Sequence, residues 1–210
     1  MTTLHSRTFD AYAFSKQPGY DEPSVRRAFA RAVPLRTVVV HCYDPRAVGV
    51  PAAVAARLGD VFPGAIAKSD DGRKVASTAT LFPVVVAGGR AVDALRSITV
   101  AQHLFGIENV VVVHHTYCGA TSFTADGIVR AFAEEHGRDI AGLYERQSIC
   151  IGDYAASLAH DVHLVRESPG TPPHVNVYGY LYDIDTESLH SVIEDRGVAG
   201  ACFGAAACAR

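Results

Sequence analysis

Two short motifs in this chain carry the residue types that hold a soft divalent metal: Cys42-Tyr43-Asp44-Pro45-Arg46 and His115-Thr116-Tyr117-Cys118. Two thiolates and one neutral imidazole leave a tetrahedral Zn²⁺ with one position open, the arrangement that separates catalytic zinc sites from closed structural ones. A thiolate-rich set with one imidazole favours zinc over magnesium, calcium or manganese, and iron–sulfur chemistry usually calls for four thiolates. The open position takes water, whose pKa falls to about 7 on zinc. Asp44 then has two roles open to it, fourth ligand or acceptor of the hydroxide's hydrogen bond. Arg46 is placed to decide between them, because a guanidinium paired with the carboxylate holds it off the metal, orients it and keeps it ionised.

Both motifs follow valine-rich runs, Thr37-Val38-Val39-Val40 and Asn109-Val110-Val111-Val112-Val113, and Val84-Val85-Val86 is a third such run. Continuous β-branched runs of this kind read as strands buried on both faces of a parallel sheet. Helical spacing follows: Val50, Val54 and Leu58 after the first motif, an apolar stripe over 91–105 with Gly106 as its stop, and a helix from Tyr154 to Val165. Alternating strand and helix signals predict one α/β domain with a mainly parallel central sheet flanked by helices. Ligands of such sheets bind beyond the carboxyl ends of the strands, where both motifs fall. Partial alternation between His174 and Thr186 predicts an outer strand, and the charged segment 68–74 a solvated loop. The expected divisions are an N-terminal helical arm over 1–34, a catalytic core over 35–186 and a tail over 187–210. His41 and His114 precede the ligands, so strand parity is expected to turn them to the opposite face from Cys42 and His115, as packing or supporting residues.

Composition narrows the function classes. With 210 residues, 49% of them hydrophobic, the chain can bury one substantial core. A net charge of −3 with scattered Lys and Arg argues against nucleic acid as a partner. No apolar run approaches the roughly 18 residues of a membrane span, and the first residues lack a signal or transit pattern, so a soluble, cytoplasmic protein is expected. Five cysteines without a Cys-x-x-Cys pair suit metal ligands and reduced thiols and disfavour a thiol redox protein. Cys150, Cys202 and Cys208 read as small buried hydrophobes or unpaired thiols.

The Cys-x-Asp-x-Arg and His-x-x-Cys pair resembles the β-class carbonic anhydrases and their relatives that hydrolyse carbonyl sulfide or carbon disulfide. Ala87-Gly88-Gly89, the following helix, Gly119 after the last cysteine, and the strand Val177-Tyr178-Gly179-Tyr180-Leu181-Tyr182 extend the likeness from Arg36 to Thr186. It implies one Zn²⁺ per subunit on Cys42, His115 and Cys118, with Asp44 and Arg46 as a catalytic dyad. Gly88, Gly89 and Val86 are the expected substrate contacts. The implied reaction is attack of a zinc-held hydroxide on the central carbon of CO₂ or carbonyl sulfide, and the implied assembly is a homodimer or a dimer of dimers, with the N-terminal helices wrapped on the partner. Val85-Val86 stands where most relatives carry Arg-Asn, which makes the expected surroundings more apolar and suited to O=C=S. The alternative is a non-catalytic zinc-binding regulatory protein in which Asp44 closes the shell; the intact Arg46 argues against it.

Overall fold

A computed structural model describes residues 10–198. In chain order it contains helix α1 (Glu22–Ala32), strand β1 (Thr37–Cys42), helix α2 (Val50–Leu58), the hairpin β2 (Ile66–Lys68) and β3 (Lys74–Ser77), and strand β4 (Leu81–Val86). Helix α3 (Leu95–Phe105), strand β5 (Asn109–His115), helices α4 (Ala125–His136), α5 (Arg146–Ile149) and α6 (Tyr154–Glu167), and strands β6 (Asn176–Tyr182) and β7 (Leu189–Asp195) complete it. The five-stranded sheet runs β4-β1-β5-β6-β7, parallel except for the antiparallel β6–β7 pair. No helix among the described residues is long and apolar enough to cross a membrane.

The valine runs become β1 and β5 because each buries both faces. Val38, Val40, Val110 and Val112 pack under α3 and α6 with Ile98, Leu158 and Val162. Val39, Val111 and Val113 pack on the other face with Val50 and Val54 of α2 and the three tyrosines of β6. Backbone pairing in register, from Thr37 opposite Asn109 to His41 opposite Val113, brings both strands to the same end of the sheet. Caps set the helix starts: Asp21, Thr124 and Asp153 each accept a backbone N–H in the first turn of α1, α4 and α6.

Several sequence expectations are corrected. The strand over 174–186 is β6, which is interior: Val177 and Gly179 lie on the side of α6, and Tyr178, Tyr180 and Tyr182 fill the α2 side. Tyrosine rings look polar in a hydropathy pattern yet bury most of their area. The outer strand is β7, inside the stretch assigned to the tail. Its sequence Leu-His-Ser-Val-Ile-Glu-Asp is that of a half-exposed edge, so its signal is weak. The helix over 91–105 starts at Leu95, after a separate 3₁₀ turn at Ala91–Asp93. The 68–74 segment is the tip of the β2–β3 hairpin. In the arm, Phe29 stacks on Phe105 with centroids 5.6 Å apart, whereas Tyr12 and Phe14 are exposed. Residues 1–9 of the arm, and 199–210 of the tail with Cys202 and Cys208, lie outside the described residues.

The turn after β4 brings its backbone close against two strands of the sheet. Gly89 has φ +70°, and a Cβ there would stand 2.6 Å from the Val113 carbonyl oxygen and 3.1 Å from the Cys42 nitrogen. Gly137, which caps α4 at φ +63°, faces open space. Both pay the left-handed penalty on substitution, but only Gly89 adds a collision with two strands. Gly89→Ala is therefore expected to destabilise by about 2 kcal/mol or more beyond Gly137→Ala in denaturant titrations; equal losses would contradict the packing described.

Candidate metal centre

Cys42 ends β1 and His115 ends β5, while Cys118 follows after a tight turn through Tyr117, which holds φ 55°. A non-glycine residue in this region is held there by its surroundings. Here the Tyr117 carbonyl accepts a hydrogen bond from the Arg46 guanidinium at 3.0 Å. The turn is pinned further along by Thr121, whose hydroxyl donates to the Cys118 carbonyl at 2.7 Å. The sequence-predicted ligands converge: one donor atom from each of Cys42, His115 and Cys118 lies within 4.8 Å of the other two, and all three residues are buried. The two sulfurs are 3.9 Å apart.

His115 supplies the clearest sign that the cluster fits a cation. Its Nδ1 lies 2.9 Å from the Thr116 carbonyl oxygen, which can only accept, so Nδ1 carries the proton and Nε2 presents a lone pair. That Nε2 is buried and has no hydrogen-bond partner. A buried acceptor without a partner is costly, and a metal bound between the sulfurs would satisfy it. Burial pushes the Cys118 thiol up to about 11, with the Ala120 amide opposing and the Cys42 sulfur adding to the rise. At neutral pH a metal must therefore displace a proton from it. The Asp44 amide donates to the Cys42 sulfur at 3.4 Å.

Asp44 stands beside the cluster without joining it. Its Oδ2 is 3.9 Å from His115 Nε2, too far for a hydrogen bond. Both oxygens are engaged by Arg46, with Nε and the backbone amide each 3.0 Å from Oδ1 and a terminal nitrogen 2.7 Å from Oδ2. The Arg46 side-chain hydrogen bonds, then its amide, hold the Asp44 carboxyl well below the usual carboxylate range. Asp44 is thus ionised at neutral pH and occupied by a partner that competes with any metal.

The proposed substrate contacts do not share one environment. Gly88 lines a cleft of about 850 Å³ that reaches Cys42, Asp44 and Cys118. Gly89 is buried against the strands, and Val86 packs beside the α3 core cluster; neither lines that cleft. Val85, at the edge of the sheet, is half-exposed. The cleft's apolar walls come instead from Val92, Phe123, Ile128, Leu143 and Ile149, which the sequence reading did not single out.

Strand parity does turn His41 away from Cys42 and His114 away from His115, but the two ligands do not share one face. Cys42 continues the Val38–Val40 face and His115 the Val111–Val113 face, so the two ligands leave opposite faces and meet only because both strands end there. His114 shares the face of Cys42 and sits fully buried, with Nε2 3.3 Å from Asp161 of α6. Burial pulls its pKa down against the pull of Asp161. Arg90 meets the same carboxylate at 2.9 and 3.0 Å.

The sheet is mainly parallel, and its strand ends gather two cysteines and a histidine that could hold a metal ion, with a carboxylate held aside by an arginine. No family model matches the chain. Beta-carbonic anhydrase 1 of Mycobacterium tuberculosis is 29% identical over 100 residues, 48% of this chain and 59% of that protein. Carbon disulfide hydrolase of Acidithiobacillus thiooxidans is 29% identical over 112 residues, 46% of this chain and 56% of that protein. The matched segment thus spans less than two thirds of either relative. The crystal structure of carbonic anhydrase from Streptococcus mutans superposes with a TM-score of 0.57 at 23% identity, over 90% of this chain and 95% of that one, which shows the fold. The chain is thus similar in sequence to a β-carbonic anhydrase and a carbon disulfide hydrolase, and shares its fold with a solved carbonic anhydrase.

Cys42→Ala and His115→Ala are each expected to lose zinc retention by metal analysis, while Asp44→Ala keeps it. Because the Cys118 thiol must lose its proton, zinc affinity of the metal-free protein should rise between about pH 6 and pH 8. A pH-independent affinity, or zinc retained without Cys42, would contradict the ligand assignment.

Proposed function

We propose that the chain is a zinc enzyme acting on a linear, uncharged molecule built like CO₂, by hydration of CO₂ to bicarbonate, by hydrolysis of carbonyl sulfide to CO₂ and H₂S, or by both. The observation that carries this reading is the engagement of both Asp44 oxygens by Arg46, which leaves Cys42, His115 and Cys118 as the donors that would hold zinc. Zinc held there supplies a Lewis acid that makes a strong oxygen nucleophile from water at neutral pH.

The chain's own residues do the rest. Cys42, Cys118 and His115 Nε2 fix the metal at the carboxyl ends of β1 and β5. Asp44 Oδ2, facing the cluster, accepts a hydrogen bond from the attacking oxygen and so aims its lone pair at the substrate carbon. Arg46 keeps that carboxylate ionised and off the metal, and its bond to the Tyr117 carbonyl couples the dyad to the His115–Cys118 turn. Substrate comes through the cleft, where Val92, Phe123 and Ile128 offer contact area to an uncharged molecule. Gly88 turns its backbone toward this space at φ 61°, in the role assigned to the glycine pair for holding substrate or anion.

The apolar walls favour carbonyl sulfide as one of the substrates. Val85 and Val86 lie outside this cleft and add nothing to its apolar lining. Tyr43, Val48 and Tyr117, all largely exposed beside the motifs, support a homodimer or a dimer of dimers in which this end of the sheet is covered. Purified protein loaded with zinc is expected to turn over both CO₂ and carbonyl sulfide, read as proton release and as sulfide release on the same sample. Rapid CO₂ hydration without sulfide would remove carbonyl sulfide as a substrate, and silence in both assays would sink the reading. Asp44→Ala should lower turnover by about 10²-fold or more while zinc stays bound.

A further inference from the structure

The cleft has two walls that approach each other from distant parts of the chain. One is the turn after β4, with Ala87, Gly88 and Val92; the other is the segment around α5, with Leu143, Ser148 and Ile149. A four-residue helix such as α5 has no stability of its own. Its far end is tied by the Ile151 amide to the Ala120 carbonyl at 2.9 Å. Ser148 Oγ lies 3.4 Å from His160 Nε2 and Arg146 pairs with Asp126, but one side chain ties the backbone of α5 to the opposite wall. Arg90, immediately after the glycine pair, donates to the Gln147 carbonyl at 2.9 Å and to the Cys150 carbonyl.

Arg90 is 2% exposed, so its charge needs a buried partner. Asp161 provides it with both oxygens, and also accepts the Ala91 amide at 3.2 Å and faces His114 Nε2 at 3.3 Å. Four of the five guanidinium N–H groups are thereby used. An arginine so engaged is no anion receptor, although it lines the cleft. A buried ion pair is also a weak source of stability, since apolar residues of similar volume do as well. What apolar residues cannot reproduce is the grip on two carbonyls of the opposite wall.

We propose that Arg90 is a positioning residue, whose guanidinium joins the Gly88-Gly89 turn to the Gln147–Cys150 backbone and so sets the separation of the cleft walls beside Cys42, Asp44 and Cys118. Asp161 holds the guanidinium in place, and His114 links that carboxylate to the strand that ends in His115. Among the ties on this segment, Arg90 is the one that links it to the turn after β4. The effect on substrate rests on the function proposed above; the effect on backbone order does not.

The test compares wild type with two variants. Arg90→Met combined with Asp161→Asn removes both charges and leaves no buried carboxylate unpaired. Arg90→Lys keeps the charge beside Asp161 but cannot span carboxylate and two carbonyls, and it serves if the double variant fails to fold. Amide hydrogen exchange of residues 143–151 is expected to quicken about ten-fold or more in both, with that of β1 and β5 unchanged and zinc content equal to wild type. KM for CO₂ or carbonyl sulfide should rise about five-fold or more while kcat changes less than about two-fold, because the variants loosen binding and leave the Asp44 chemistry intact. Unchanged exchange over 143–151 in whichever variant folds would overturn the proposal, as would a loss of kcat at constant KM. If wild type turns over neither substrate, the functional reading fails while the exchange measurement still decides the role of Arg90.

Discussion

The parallel register between β1 and β5 is the constraint on which the site depends. It sets Thr37 against Asn109 and His41 against Val113, so both strands end together and Cys42 and His115 emerge at one edge. Neither ligand could be moved by one residue without turning its side chain elsewhere. The valines fix that register because each face of each strand is buried, one under α3 and α6 and the other under α2. Burial of the core and placement of the ligands are therefore the same event. Gly89 extends the logic, since its missing side chain lets the turn after β4 close against both strands.

Two arginine–aspartate pairs flank the cluster and differ in environment. Arg46–Asp44 is partly open, with the arginine side chain 53% exposed, so its worth lies in direction and not in stability. It commits both oxygens of a carboxylate that stands beside the Cys42–His115–Cys118 cluster. Arg90–Asp161 is shut off from water, with side chains 2% and 0% exposed. Its charges offset one another at a desolvation cost, and what it contributes is a fixed geometry between turn, helix and strand. In the proposed function one pair would direct the nucleophile's hydrogen bond, and the other would set the space in front of it.

Much of the site was legible in the sequence because its residues are short-range motifs attached to unmistakable strands. Cys42, His115, Cys118, Asp44 and Arg46 meet as their spacing implied. The cleft walls were not legible, since Phe123, Ile128, Leu143 and Ile149 lie in segments whose pattern names no partner. The edge strand β7 was missed because a half-exposed edge alternates too weakly to stand out. Asp161 did leave a signal: it sits between Leu158, Val162 and Val165 on the apolar face of α6, and a carboxylate on such a stripe announces a buried counter-charge. The expectation of one shared face for Cys42 and His115 misled because the register sets His41 against Val113, which leaves Cys42 level with His114.

The measurement that tests the account most directly is a crystal structure of the zinc-loaded protein at neutral pH, with the metal located by anomalous scattering at the zinc edge. The account predicts zinc about 2.3 Å from the sulfurs of Cys42 and Cys118 and about 2.0–2.1 Å from His115 Nε2, with a water in the fourth position. Asp44 should remain bonded to Arg46. Zinc coordinated by the Asp44 carboxylate, or no zinc at this cluster, would contradict it.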